Sequence, residues 1–248
     1  MIPNQSQKKA IEAQINTDLR VLAGPGSGKT YVIEHRFAYL VSQGINPNQI
    51  LVCTFSKNMA DEMGKRIQRT CPRANLEYIS TIHAFCYRVL CKWYVDSRWY
   101  NWKVPKDWEI KKAIEEIISL VWRVGERPSA SETFDYICLS KHHGLTTDDS
   151  YQFYIDLLGQ EQGAWLYEIR SRFDAWLNRS QYLTFADMLF LVEQRLKKDG
   201  AWRRLLQSRF SHVIIDESQD TSYQAMRILV TVSLEPGLNT VYDYEVTE

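Results

Sequence analysis

The chain has 248 residues, 45% hydrophobic and 24% charged, and its thirty basic residues balance thirty acidic ones. That length suffices for one large or two modest domains with a real core, and the charge balance excludes a wholly basic coat or histone-like protein while leaving room for a local basic stripe. No apolar run approaches the roughly 20 residues that span a bilayer, and the opening "MIPNQSQKKA" lacks the apolar region of a secretory signal, so a cytoplasmic protein with no membrane partner is expected.

In chain order, "PNQSQKKAI" reads as a first helix and "DLRVLAG" as a short apolar strand running into a Gly-rich loop. "KTYVIEHRFAYLVSQG" has helical spacing, with Val32, Ile33, Phe37, Leu40 and Val41 apolar and Gly44 as its stop. "QILVCTF" is a second buried strand, "SKNMADEMGKRIQRT" a helix with Met59, Met63 and Ile67 on one face, and "LEYISTIHAF" a third strand followed by a helix through Val89 and Leu90. The alternation predicts an α/β fold, a parallel sheet covered by helices.

The rhythm changes near Cys91. From there to about Gln181 the segments "DWEIKKAIEEIISLVWRV", "DDSYQFYIDLLG" and "QGAWLYEIRSRFDAWLN" are amphipathic helices, and seven of the eight tryptophans fall in this stretch. We expect an all-helical insertion at 91–181 that divides the α/β domain into 1–90 and 182–248. Its segment "CKWYVDSRWYNWKVPKDW" interleaves aromatics with Lys and Arg, which suits either a nucleic-acid-facing surface or the core of a small helical unit. Beyond it, "FADMLFLVEQRLKKDG" is a helix, "HVIID" a fourth strand, "SYQAMRILVTVS" a helix and "LNTVYDYEV" a last strand. Five cysteines without a CxxC pair read as reduced thiols, with Cys86 and Cys91 packing on a helix and holding no metal.

Two motifs carry chemistry. "AGPGSGKT", residues 23 to 30, fits a phosphate loop with Ala23 at its first position, and it has the required strand before and helix after. Gly24, Pro25, Gly26, Ser27 and Gly28 would turn backbone N–H groups toward phosphate oxygens at a helix N-terminus. Lys29 would reach the β- and γ-phosphates and Thr30 would place its hydroxyl on Mg2+. The second motif is the end of "HVIIDESQD". A strand-end carboxylate such as Asp216 helps hold Mg2+ in phosphate-loop enzymes, and Glu217 beside it could orient or deprotonate the attacking water. Lys29, Asp216 and Glu217 are therefore the candidate catalytic residues, Thr30 and Asp216 the metal ligands, and ATP with Mg2+ the expected cofactors.

Taken together, these motifs resemble the N-terminal part of UvrD/Rep/PcrA-like superfamily 1 DNA helicases. "PNQSQKKAI" is similar to the family's Q motif, with Gln7 placed to read an adenine edge. "TFSKNMADEMGKRI" resembles motif Ia, with Ser56 for Thr and Lys57 and Asn58 in swapped order; the resemblance implies that Phe55 stacks on a base of single-stranded DNA, and a strand-end core position is the alternative. "STIHAFCYRVL" resembles motif Ib, which implies that Thr81 and His83 contact the strand's phosphates or sugars, a helix cap being the other role open to the histidine. "LTFADML" resembles the signature before motif II with Thr184 in place of an Asp, and "DESQDTSYQ" matches motif II. Tyr31 replaces an Arg that often follows the loop Thr near the base and could stack there.

The resemblance implies two RecA-like lobes closing on ATP and moving 3′ to 5′ on single-stranded and partly duplex DNA. This chain holds motifs for the first lobe only. We therefore expect the second RecA-like domain to be absent, through an interrupted reading frame or supply by a second polypeptide. A stand-alone ATP-binding regulatory module is the alternative reading. A small-molecule kinase leaves motifs Ia and Ib unexplained.

Overall fold

A computed structural model describes residues 2–15, 18–24, 26–94, 98–123, 127–233 and the backbone of 240–244. The elements in order are α1 (Gln5–Ile11), β1 (Leu19–Leu22), α2 (Lys29–Ser42), β2 (Ile50–Thr54), α3 (Lys57–Thr70), β3 (Ile79–Thr81), α4 (Ile82–Cys91), α5 (Asp107–Val121), α6 (Ala130–His142), α7 (Ser150–Leu158), α8 (Gln160–Ser180), α9 (Phe185–Lys198), α10 (Gly200–Arg209), β4 (His212–Ile215), α11 (Tyr223–Ser233) and β5 (Thr240–Tyr244). Contacts divide the chain into two compact units, one of residues 1–86 with 195–248 and one of residues 87–194. The divisions fall inside α4 and α9, whereas the change of hydrophobic rhythm placed them at 90/91 and 181/182. A continuous helix carries no compositional mark where its packing partners change.

The first unit is an α/β domain. Its five strands are parallel throughout, in the order β1-β5-β4-β2-β3. Parallel strands covered on both faces must be apolar on both, and β2 (ILVCT) and β4 (HVII) are buried at every position, while β1 at the sheet edge alternates half-buried and exposed. Ile33, Phe37 and Leu40 of α2 pack with Ile50 and Val52 of β2, Met63 and Ile67 of α3 and Ile214 of β4. Register pairs Val52 with Ile214 on one side and with Ile79 on the other, so the strands end together along one edge.

Two local expectations are revised. The third strand is only Ile79–Thr81, because Thr81 turns the chain into α4 by accepting a hydrogen bond from Ala84 N at 3.2 Å; Phe85 and Cys86 are thus core residues of a helix. A separate α10, N-capped by Asp199 through Trp202 N at 2.9 Å, lies between the expected helix α9 and β4.

The second unit is helical. Its core joins Ile114 and Ile118 of α5, Ile137 of α6, Tyr154 of α7 and Ile169 and Phe173 of α8. Beside that apolar core, Lys141 is buried, with its ammonium 2.8 Å from Asp174 and 2.6 Å from Asp187. Burial opposes its charge, but the two carboxylates outweigh burial and raise its pKa. Arg170, also buried, donates to Ser140 Oγ at 2.8 Å and to the Leu145 carbonyl at 2.7 Å. The aromatic-basic segment is split: Trp102 is buried, Trp108 is 60% exposed, and the Arg98 guanidinium lies over the Trp99 ring at 5.1 Å. Packing and surface roles are thus divided among its residues. Among the described residues, no helix is long and apolar enough to cross a membrane. None of the five cysteines is in a disulfide, and Cys86 and Cys91 are fully buried.

Candidate functional site

The described sequence-predicted site residues of the α/β unit, other than Gln7, lie at or just after the C-terminal end of a strand or open the helix after it. In an open parallel sheet this is the edge where ligands bind, because strand ends and helix N-termini converge there. The loop after β1 leads into α2, whose N-cap is Gly28 at φ +85. Gly26, at φ +72, is the other left-handed position; a side-chain-bearing residue at either is strained by about 1–2 kcal/mol. Ser27 N donates to the Gly24 carbonyl at 3.3 Å, closing the turn, and Val32 N donates to the Gly28 carbonyl at 3.0 Å as the first bond of α2, so the N–H groups ahead of it face the helix's open start. Ala23 is half-buried, Gly24, Gly26 and Ser27 are exposed, and Pro25 lies outside the described residues.

Across the sheet edge, Asp216 extends β4, its N–H donating to the Cys53 carbonyl at 2.9 Å. Glu217 then takes a left-handed conformation at φ 52 and ψ 52 before a short 3-10 turn at Ser218–Asp220. Such a backbone costs a non-glycine residue energy and is held only by its surroundings. Its carboxylate Oε2 accepts from Lys29 Nζ at 3.1 Å and from Gln219 Nε2 at 2.5 Å. Loop lysine and strand-end acid are therefore in direct contact.

The two carboxylates are pushed apart in acidity. Asp216 is buried, and loss of hydration, with the Glu217 charge beside it, lifts its pKa to about 6 against the attraction of Lys29. Burial also lifts Glu217, but the hydrogen bonds from Gln219 and Lys29, with the Lys29 charge, outweigh it and hold the acid below its ordinary value. A buried carboxylate whose ionised form is this unfavourable is a good ligand for a hard divalent cation, which supplies the missing charge. With the Thr30 hydroxyl opening α2, the donor set is the oxygen-only kind that Mg2+ takes, and it is too sparse to bind the ion without added phosphate oxygens and water. Consistently, no group of three or more His, Cys, Asp or Glu that could hold a metal occurs among the described residues.

Gln7 comes from α1. It completes a capping box with Asn4: Gln7 N donates to Asn4 Oδ1 at 2.8 Å, and Asn4 N donates to Gln7 Oε1 at 2.9 Å. Its Nε2 donates to the Ser27 carbonyl in the phosphate loop at 2.9 Å. A methyl group at Gly28 would meet that Nε2 at 2.8 Å and push the Gln7 amide aside, while the φ of +85 is what favours glycine itself. Tyr31 stacks on His35 at a centroid distance of 3.8 Å and 29°, which occupies one face of the ring.

Phe55, just after β2, is 61% exposed and so is not the core residue that its strand-end position allowed. Thr81 caps α4, and His83 lies half-buried in that helix's first turn. The strand-to-helix capping role thus belongs to the threonine. Sequence reading passed over Arg36. It sits on the buried face of α2 at helical spacing with Val32, Ile33, Phe37 and Leu40, and a cation within such a stripe was the available signal. Its guanidinium is fully buried and donates to the carbonyls of Ile11 at 3.0 Å, Ala13 at 2.5 Å and Gln14 at 3.1 Å.

A glycine-rich loop opening a helix after β1, with a buried acidic strand end on the same edge of a parallel sheet, is the arrangement of a P-loop, RecA-like α/β domain. The particular family follows from sequence comparison: the chain belongs to the UvrD/REP helicase N-terminal domain family, whose family model matches residues 3–241. It is 28% identical over 246 residues to the DNA helicase II of Haemophilus influenzae, covering 91% of this chain and 32% of that protein. A probable DNA helicase of Mycoplasma pneumoniae is 26% identical over 268 residues, with 97% and 46% covered. The ATP-dependent DNA helicase PcrA of Staphylococcus aureus is 24% identical over 237 residues, with 92% and 31% covered. The chain thus spans between 31% and 46% of the length of these relatives.

Proposed function

We propose that this chain is the ATP- and single-stranded-DNA-binding part of an ATP-dependent 3′–5′ DNA helicase of the cytoplasm. The observation that carries the reading is the meeting of Lys29 with Glu217 beside a buried Asp216. In the resting state Lys29 is neutralised by Glu217. A nucleotide triphosphate offers more negative charge than one carboxylate, so Lys29 transfers to the β- and γ-phosphates and Glu217 is released toward the attacking water. Glu217 remains ionised at neutral pH and can orient or accept a proton from that water. Mg2+, held by Thr30 and Asp216, would neutralise charge on the phosphate oxygens. The loop backbone N–H groups cradle the phosphates, and Gln7 reads the adenine edge.

Single-stranded DNA is assigned to the strand-end surface of Phe55, Thr81 and His83. Exposure of Phe55 supports stacking on a base, and the first turn of α4 supports phosphate contacts. Coupled hydrolysis and translocation need cationic groups that reach the γ-phosphate from a second RecA-like domain, carried by further sequence or a second polypeptide; an arginine of that kind is worth about 10³–10⁵ in rate.

Titration of the chain with a fluorescent ATP analogue, with and without Mg2+ and oligodeoxythymidylate, tests the reading. Mg2+-dependent binding, and turnover stimulated by the oligonucleotide when a second lobe is supplied, is the expected result. Mg-ATP binding with no response to DNA would favour the regulatory-module alternative, and no nucleotide binding would sink both.

A further inference from the structure

We propose that Arg36, with His212, is a positioning residue that sets base selectivity by clasping the C-terminal end of α1 and so holding Gln7 against the phosphate loop; this rests on the reading that Gln7 faces adenine.

Helix α1 has seven residues and no packing depth beyond Ile11, so it cannot fix its own position. It is held at both ends by polar contacts. At its start, Gln7 Nε2 binds the Ser27 carbonyl. At its end, the carbonyl groups of Ile11, Ala13 and Gln14 converge on the buried Arg36 guanidinium from α2. The next carbonyl, of Ile15, lies 3.3 Å from His212 Nε2 at the start of β4, and His212 Nδ1 faces Ser211 Oγ at 3.0 Å. Burial lowers the pKa of this imidazole, its bond to Ile15 opposes that, and the neighbouring Arg36 adds to the lowering. A neutral ring that donates from Nε2 and accepts from Ser211 satisfies both contacts. The chain between α1 and β1 is thereby tied to the phosphate-loop helix and to the strand that carries Asp216.

Base selectivity depends on this clasp. The Gln7 amide has two N–H donors and two acceptor lone pairs. One donor is spent on Ser27 and one lone pair on Asn4 N–H, and these two bonds prevent the amide from flipping. One donor and one acceptor remain, in fixed order. Adenine offers an N7 acceptor beside an N6 donor and matches them, whereas guanine offers two acceptors and does not. If the end of α1 is released, the amide can turn and the order is lost; the loop loses its one bond from Gln7, while the N–H groups that open α2, on which the phosphates would sit, keep their place.

The test is equilibrium binding of Mg-ATP, Mg-GTP and Mg-tripolyphosphate to the 248-residue chain and its variants, each first checked for folding by circular dichroism. Gln7→Ala is expected to lower the ATP-to-GTP affinity ratio about tenfold, the worth of two hydrogen bonds. Arg36→Met should lower it to the same level with tripolyphosphate binding unchanged, and the double variant should lose nothing more. Arg36→Lys retains the buried cation but not the three-way fork, and a ratio reduced at least threefold is expected. That variant decides the matter if Arg36→Met does not fold. A wild-type ratio in Arg36→Lys, or additive losses in the double variant, overturns the proposal. An unchanged ratio in Gln7→Ala instead overturns the adenine assignment on which it rests, and the clasp's role in selectivity with it.

Discussion

Lys29 Nζ lies 3.1 Å from Glu217 Oε2, although 188 positions of sequence separate the two residues. The contact joins the phosphate loop to the acidic strand end, and it keeps the loop lysine from facing solvent as an uncompensated cation. It also means that nucleotide must compete with an internal anion. Replacing Glu217 by Gln removes that competitor and a negative charge near the triphosphate. Binding of Mg-ATP should tighten by on the order of 1 kcal/mol, about fivefold, since the pair is only partly buried. Hydrolysis by the assembled motor should fall by roughly 10²–10⁴, the range for a lost general base. Single-turnover hydrolysis beside equilibrium binding separates the two effects; weaker binding in Glu217→Gln would contradict the competition.

Asp216 has the opposite problem. Its pKa is raised from 3.8 to about 6, so its ionised form is disfavoured in the fold. A raised acid stabilises the folded state fully below its unfolded pKa, and that contribution is lost as pH rises through the folded one. At neutral pH the cost of holding the charge is about 3 kcal/mol at most. Asp216→Asn should therefore raise the melting temperature of the nucleotide-free protein at pH 7–8, by roughly 2–4 °C per kcal/mol relieved, with the gain shrinking as pH drops below about 6. The same change should abolish the Mg2+ dependence of ATP binding, and in the unaltered protein that dependence should fade below about pH 6. A lower melting temperature at neutral pH would show that the carboxylate is not destabilising.

Phe55 is 61% exposed at a strand end. Surface truncation should leave stability within about 0.5 kcal/mol. If its ring carries a base, Phe55→Ala should weaken single-stranded DNA binding by about 1–3 kcal/mol, read by fluorescence anisotropy of a labelled oligonucleotide. Undiminished affinity would return this phenylalanine to an ordinary exposed apolar residue.

In the helical unit the ammonium of Lys141 is paired with Asp174 and Asp187 in a buried setting. Lys141→Met leaves two carboxylates without their shared cation and should destabilise that unit by about 3–5 kcal/mol. Adding Asp187→Asn should recover part of the loss, because Asp174 keeps the Arg170 guanidinium, 3.5 Å away, as its partner and only Asp187 is left uncompensated. Urea unfolding followed by tryptophan fluorescence reports on this unit, which holds most of the tryptophans. An unshifted midpoint in Lys141→Met would rule out the ion cluster as a structural determinant.

Most of the α/β framework was legible in the chain because its rules are local. A strand buried on both faces is a continuous apolar run, as in "ILVCT" and "HVII"; a phosphate loop declares itself by Gly26, Gly28, Lys29 and Thr30 at fixed spacing; helical stripes such as Val32, Ile33, Phe37 and Leu40 repeat within a few turns. Boundaries were less legible. The third strand stops at Thr81 because a hydroxyl caps the next helix, and the compact units divide within α4 and α9, where local propensity is uninterrupted.

By itself the sequence determined the residue types of the phosphate loop and the acidic strand end, since their chemistry follows from composition and short-range order. Only the tertiary structure decided that Lys29 pairs with Glu217, that burial of Asp216 and the hydrogen bonds to Glu217 separate their acidities, and that Arg36 and His212 grip the carbonyls at the end of α1. Hydration loss, electrostatic coupling and carbonyl capture depend on which groups share a volume, and residues far apart along the chain acquire that relation only when the strands align.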